Sequence, residues 1–265
     1  GNVNGIPNIV TKENFPRDGR PLLRPKRNSL DDLPFLDREL VYSTTRLGRF
    51  PMRSFMLSRG CPYKCTYCFN RTYNMLYKSN GPLHVRMSVD RVVAELKELK
   101  ERYETQFIKF YDDIFVLKDD EWLDEFSSKY SKEVGVPFHC LMRANLLTED
   151  IVLKLKKAGL ASISMSIESG NERVRNQILK RNMTMDDMLK AFGLCYKHSI
   201  PTFSNTIFAV PSTTLKEDIE SLDMNIACKV GLGEFPLFFP YPKTELAEFA
   251  IKNGYFDGDF DRLHM

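Results

Sequence analysis

Ser54-Phe-Met-Leu-Ser-Arg-Gly-Cys-Pro-Tyr-Lys-Cys-Thr-Tyr-Cys-Phe69 sets the frame for the rest of the chain. Its first residues, Ser54 to Leu57, form a short apolar run that predicts a strand. The loop behind that run carries three thiols, Cys61, Cys65 and Cys68, within eight positions. Further along, short β-prone runs alternate with amphipathic helical stretches, the pattern of βαβ units on a parallel sheet.

The first helix of the alternation is capped by Ser88 and keeps Val89, Val92, Val93, Leu96 and Leu99 on one face. A strand at Phe107 to Tyr111 precedes a helix from about Asp119 to Tyr130. A strand at Phe138 to Met142 leads to a helix after Thr148 that stops near Gly159, a residue suited to a left-handed C-cap. The strand Ser162 to Ile167 precedes a helical region running to His198, broken around Asn182 to Thr184. Two more units pair Thr202 to Val210 with Leu215 to Ala227, and Glu234 to Phe239 with Thr244 to Lys252. Right-handed crossovers curl six such units into a partial (β/α)6 TIM-like barrel of parallel strands, with its working face at the strands' C-terminal ends. Residues Gly1 to Phe50, rich in Pro, Asn, Arg and Gly, are expected as an extended arm or interdomain linker (1–50) ahead of the barrel core (51–265). The chain begins at Gly1 inside this linker-like segment, so a piece of something longer is expected.

A chain of 265 residues is long enough to bury a sizeable core, and its 43% hydrophobic and 28% charged residues are those of a globular protein. Its net charge of +3, from 38 basic and 35 acidic residues, gives no single-sign field for nucleic acid or a membrane surface. No stretch approaches the roughly 18 to 20 apolar residues of a membrane span, and the N-terminus lacks a signal-peptide pattern, so a cytoplasmic protein is expected. Six cysteines without an export signal point away from a disulfide framework. Cys140, Cys195 and Cys228 are expected as small buried hydrophobes.

Thiolates suit iron-sulfur clusters, zinc and cuprous copper, so ligand type alone leaves the metal open. A structural zinc site wants four ligands, and His84 is the nearest residue that offers a fourth. Three cysteines on a four-iron cluster leave one iron free for an exogenous ligand.

CxxxCxxC with an aromatic before the last Cys, placed after the first strand of a βα series, resembles the signature of the radical S-adenosylmethionine (SAM) superfamily. That resemblance implies a 4Fe-4S cluster on Cys61, Cys65 and Cys68. It also implies SAM bound at the open iron and its reductive cleavage to a 5'-deoxyadenosyl radical. Tyr67 is then the aromatic on the adenine side. The stretch from Leu30-Asp-Asp-Leu-Pro-Phe35 to the sixth strand is similar to the subgroup that follows a cobalamin-binding domain. Within that likeness Asp112 and Asp113 match a DD-x-F element, Arg143 a strand-end arginine facing the SAM carboxylate, and Ser166-Ile-Glu168-Ser-Gly170 a VESG element. Glu168, ending an apolar run, is costly to bury without a partner, and the SAM amino or ribose hydroxyl groups supply one. Relatives usually carry Gly where this chain has Ala209 and Ser212, and Lys243 replaces Gly in the PYPGT-like run that contains Tyr241. Ala209 and Tyr241 are therefore expected as altered SAM contacts.

The subgroup resemblance implies cobalamin-dependent methylation of an unreactive centre in a small-molecule substrate. Its partners are an upstream cobalamin-binding domain and a reductant such as flavodoxin or ferredoxin, without membrane or nucleic acid. Methylthio transfer, or ring formation and rearrangement, is the alternative within the superfamily. A non-catalytic iron-sulfur or zinc module is the alternative outside it.

Overall fold

Period-two strands and 3.6-period helices sort this chain into layers, and the computed structural model describes residue 3, residues 5–15 and residues 22–263. The elements begin with α1 (Glu39–Thr44), β1 (Met52–Phe55), β2 (Ser58–Arg59), α2 (Phe69–Leu76), β3 (Val85–Arg86), α3 (Val89–Arg102), β4 (Phe107–Phe110) and α4 (Glu121–Lys129). They continue with β5 (Phe138–Met142), α5 (Glu149–Ala158), β6 (Leu160–Met165), α6 (Met185–Lys197), β7 (Thr202–Asn205), α7 (Leu215–Ala227), β8 (Leu232–Glu234) and α8 (Glu245–Lys252). The main sheet runs β1-β4-β5-β6-β7-β8 with every neighbouring pair parallel, an open partial barrel of six β/α units as expected.

Alternation along the strands decides which face is dry. Ile108, Phe110, Phe138, Cys140, Ile163 and Met165 point to the helices and are fully or almost fully buried. Between β4, β5 and α4 the rings of Phe110 and Phe138 sit 5.4 Å apart and those of Phe126 and Tyr130 4.9 Å apart. Each such ring contributes about 2–3 kcal/mol by leaving water. The opposite face carries Lys109, His139, Ser162, Ser164, Phe203 and Asn205 around a cavity of about 500 Å³. A closed TIM barrel fills that space with branched apolar side chains; this one leaves a polar lumen.

The helix starts are fixed by side-chain caps. Ser88, Asp120, Thr148, Thr184, Thr214 and Thr244 each accept a backbone N–H of the first turn, worth about 1 kcal/mol apiece. Thr184 with Asp187 and Thr214 with Glu217 complete capping boxes. The break expected near Asn182 to Thr184 is therefore a real helix start.

Several expectations need correction. The first strand lies at Met52–Phe55 rather than Ser54 to Leu57. Leu57 instead accepts from Met87 N–H where the two-residue strands β2 and β3 pair, too short to show a period. The sixth strand is Leu232–Glu234, not Glu234 to Phe239, because Pro236 has no N–H to continue the ladder; one bridge, Phe208 with Leu237, survives beyond it. The arm is not wholly extended. It includes α1, where the hydroxyls of Ser43, Thr44 and Thr45 bond back to carbonyls four residues earlier and Tyr42 packs edge-on against Tyr103. Upstream of α1 the chain lies across α3: Asp31 accepts from Ser88 N–H, Arg91 covers the Phe35 ring, and Arg38 pairs with buried Glu95 at 2.8 Å. Arm residues 1, 2, 4 and 16–21, and core residues 264–265, lie outside the described residues. Cys140, Cys195 and Cys228 are buried free thiols. No helix among the described residues is long and apolar enough to cross a membrane.

Candidate active site

The cysteine loop is held by backbone constraints on three sides. Gly60 opens it at a positive φ of 87°, and a Cβ there would come within 2.3 Å of the Leu83 carbonyl oxygen, so the close approach of β2 to β3 demands glycine. Asn74 Nδ2 donates to the Cys61 carbonyl at 2.7 Å. In the middle, Thr66 N–H donates to Leu179 O at 3.1 Å, its hydroxyl donates to Ile178 O at 2.7 Å, and its carbonyl accepts from Leu246 N–H at 3.0 Å. The loop is thereby tied to the π-turn Arg173–Ile178 and to the start of α8.

Cys65 is buried, Cys61 and Cys68 are half-buried, and all three are free thiols. Burial pushes the Cys61 thiol up to about 11, with the neighbouring charges of Asp113, Cys68 and Cys65 adding to the rise. Cys68 is raised for the same reason. Among the described residues no three His, Cys, Asp or Glu side chains are close enough to hold one metal ion, so His84 does not join the thiols at a mononuclear site.

Glu168 sits just past the end of β6 in the left-handed region, at φ 62°, a conformation that costs a non-glycine residue about 1–2 kcal/mol. Its backbone is locked between Asn205 O and Ile207 N–H, which places the carboxyl against the cysteine loop. Tyr67 donates its hydroxyl to Glu168 Oε1 at 2.8 Å and accepts from Arg181 Nη1 at 3.1 Å. Arg181 also donates to Ser166 O at 2.7 Å and lies 3.8 Å from Glu168 Oε1. Burial raises Glu168 above the ordinary carboxylate range, and Arg181, Tyr67 and Ser166 work against that rise. Arg181 keeps a buried Nε without a partner. Arg143, also buried, places Nη1 3.8 Å from Cys65 Sγ, donates Nη2 to the Arg181 carbonyl and stacks its guanidinium 3.7 Å over Tyr63.

Tyr67, Arg143, Ser166 and Glu168 thus converge beside Cys65. Arg181 joins them without having been singled out from sequence; it lies just before the helix break expected around Asn182 to Thr184. Asp113 lines the central cavity with Arg143, Ser166 and Arg181. Asp112 does not: fully buried, it accepts from the backbone N–H groups of Leu57 and Ser58 and from the Ser58 hydroxyl, clamping the start of β2 to the end of β4. Of the adjacent pair, only Asp113 is available to a ligand. Ala209 opens on a separate hollow of about 460 Å³ shared with Ser212, Phe238 and Pro240, and Tyr241 is half exposed against Phe239. Neither reaches the wall of the central cavity. Ala209, Ser212 and Lys243, where the family resemblance implies Gly, all hold positive φ, at 54°, 69° and 64°.

An uncharacterized methyltransferase, PH0819, of Pyrococcus horikoshii is 25% identical over 252 residues, covering 95% of this chain and 53% of its own. The radical SAM methyltransferase TsrM from Kitasatospora setae, solved with cobalamin and a [4Fe-4S] cluster bound, superposes with a TM-score of 0.67 at 17% identity, over 86% of this chain and 43% of that one. The cobalamin-dependent SAM radical enzyme OxsB, solved with aqua-cobalamin and SAM, gives a TM-score of 0.63 at 17% identity, over 91% and 35%. These two structural likenesses concern the fold. The chain spans about half the length of the P. horikoshii relative and less of the two solved proteins. Residues 55–224, running from the end of β1 into α7 and enclosing the cysteine loop, match the family description Radical SAM superfamily, and the chain belongs to that superfamily.

Proposed function

We propose that this chain is the core of an enzyme that cleaves SAM reductively and uses the outcome for cobalamin-dependent methylation of an unreactive centre. The donor set suits the cofactor: three free thiols on one short loop lie near enough to raise one another, and Arg143 offsets charge at the most buried of them. In this reading Cys61, Cys65 and Cys68 hold a 4Fe-4S cluster, which supplies the electron for SAM cleavage when bound.

The protein's own part is positioning. Glu168, kept in orientation by Tyr67 and Arg181, offers Oε2 and its flanking Ser166 to the amino and ribose groups of SAM. Arg143 would meet the SAM carboxylate, and its stacking on Tyr63 beside Cys65 would shield a bound cluster from water. Asp113 remains for a hydroxyl or ammonium at the mouth. Ala209 and Tyr241 are left with backbone or peripheral contacts, set by the left-handed turns around them. The observation that carries this reading is the buried Glu168–Tyr67–Arg181 constellation, assembled at a strained backbone position beside Cys65.

Cobalamin would come from a domain beyond this core, and electrons from a flavodoxin or ferredoxin. The cobalamin bound in the structural relatives, and the fraction of their length that this chain spans, support that arrangement. The test is anaerobic reconstitution of the full-length protein with cobalamin and SAM labelled in its methyl carbon. Label on cobalamin or on a co-purified small molecule, together with 5'-deoxyadenosine, is expected. Formation of 5'-deoxyadenosine without transfer of label would move the reaction to ring formation or rearrangement. Absence of both products sinks the enzymatic reading.

A further inference from the structure

The lumen of the barrel carries a row of polar groups that the cluster and SAM residues leave unused. Lys109, His139 and Ser162 stand side by side in the registers β4–β5 and β5–β6, all on the cavity wall. A packed barrel would place branched apolar residues in this row. Lys109 is half-buried there and forms no ion pair among the described residues; its Nζ lies 4.6 Å over the Tyr111 ring. Asp113 and Glu234 line the same cavity, and neither pairs with it.

The neighbouring hydroxyls are poised to donate. His139 Nδ1 meets Ser162 Oγ at 2.8 Å and Nε2 meets Ser164 Oγ at 2.9 Å. Burial and the charge of Lys109 depress His139 to about 4, so the ring is neutral at neutral pH. A neutral imidazole donates through one nitrogen and accepts through the other. The serine that accepts from the ring therefore keeps its own O–H free for the lumen, beside the ammonium.

We propose that Lys109, with the Ser162–His139–Ser164 row, anchors an anionic oxygen group of the substrate, a carboxylate or a phosphate, at the floor of the lumen. The proposal rests on the radical SAM reading, which makes the lumen the substrate chamber.

The test is calorimetric titration of the purified protein with inorganic phosphate and, separately, with succinate. Saturable binding of at least one is expected, and the anion that binds identifies the group. Lys109→Met should weaken that binding roughly tenfold or more, the worth of one charge-assisted hydrogen bond. Lys109→Arg should retain it, and Lys118→Met, at an exposed position, should leave it unchanged. If Lys109→Met does not fold, a lowered affinity in Ser162→Ala supports the anchor and an unchanged one overturns it. No binding of either anion, or affinity unaltered in a folded Lys109→Met, overturns it as well. Formation of 5'-deoxyadenosine by the reconstituted protein reports separately: cleavage without anion binding removes the anchor alone, whereas anion binding without cleavage removes the radical reading.

Discussion

Removing Arg181 should expose how tightly the site is interlocked. Arg181 Nη1 lies 3.8 Å from Glu168 Oε1 and reaches the same carboxylate through the Tyr67 hydroxyl. At an effective dielectric of about 20, two unit charges at that distance attract by roughly 4 kcal/mol. Desolvation of the guanidinium takes back about half, leaving a coupling on the order of 2 kcal/mol. In Arg181→Met the carboxylate stays buried without its counter-charge and the Ser166 carbonyl loses its donor, so the single variant should lose about 3–4 kcal/mol of stability. Glu168→Gln, which keeps the shape and one acceptor for Tyr67, should cost less than half of that. The assay is urea unfolding of the four proteins of the double-mutant cycle at pH 7.5. The double variant should be more stable than the sum of the single effects by about 2 kcal/mol. Strict additivity, or a mild effect of Arg181→Met, would refute the idea that the two residues form one unit.

Ala209→Gly, Ser212→Gly and Lys243→Gly each relieve a left-handed backbone at the expense of unfolded-chain entropy, for a net gain of roughly 0.5 kcal/mol each; a lowered thermal midpoint in the triple variant would contradict this. Burial raises Asp112 from its ordinary 3.8 to about 6. The folded state then binds more protons than the unfolded one between these values, so this residue's contribution to stability should grow as pH falls from 7 toward 4. On this account the unfolding free energy of wild type minus that of Asp112→Asn should rise as pH falls across that range, and a difference that falls instead would count against it. A Cβ on Gly170 would meet the Glu220 carbonyl oxygen at 2.3 Å and its carbon at 2.7 Å. Gly170→Ala should therefore push α7 from the end of β6, losing more than about 2 kcal/mol in chemical unfolding; near-wild-type stability would mean the turn has room to shift.

The alternation of apolar runs and capped helices was legible because each unit carries its own signals. Phe138 to Met142, the Thr148 and Gly159 boundaries, and Leu215 to Ala227 are local facts of hydrophobic period and cap chemistry. The hairpin β2–β3 and helix α1 were hidden because they exist through partners far along the chain, Leu57 with Met87 and Tyr42 with Tyr103. The site divides in the same way. Cysteine spacing and a carboxylate ending an apolar strand can be read directly, so Cys61, Cys65, Cys68 and Glu168 stood out. Arg181 belongs to the site because the chain turns back after the π-turn, 13 residues beyond Glu168, and no spacing rule announces that return. Asp112 and Asp113 are indistinguishable as letters; opposite faces of one strand end send the first to the backbone of Ser58 and the second to the lumen.

The most direct measurement is anaerobic reconstitution with iron and sulfide, followed by metal analysis, visible absorption and reduction in the presence of SAM, on wild type and Cys65→Ala side by side. The wild type should take up about four iron and four sulfide per chain, the stoichiometry of a 4Fe-4S cluster, show a brown chromophore and form 5'-deoxyadenosine. Cys65→Ala should lose the chromophore and the product together. Zinc without a chromophore in the wild type, or undiminished SAM cleavage in Cys65→Ala, would contradict the assignment of the cysteine loop.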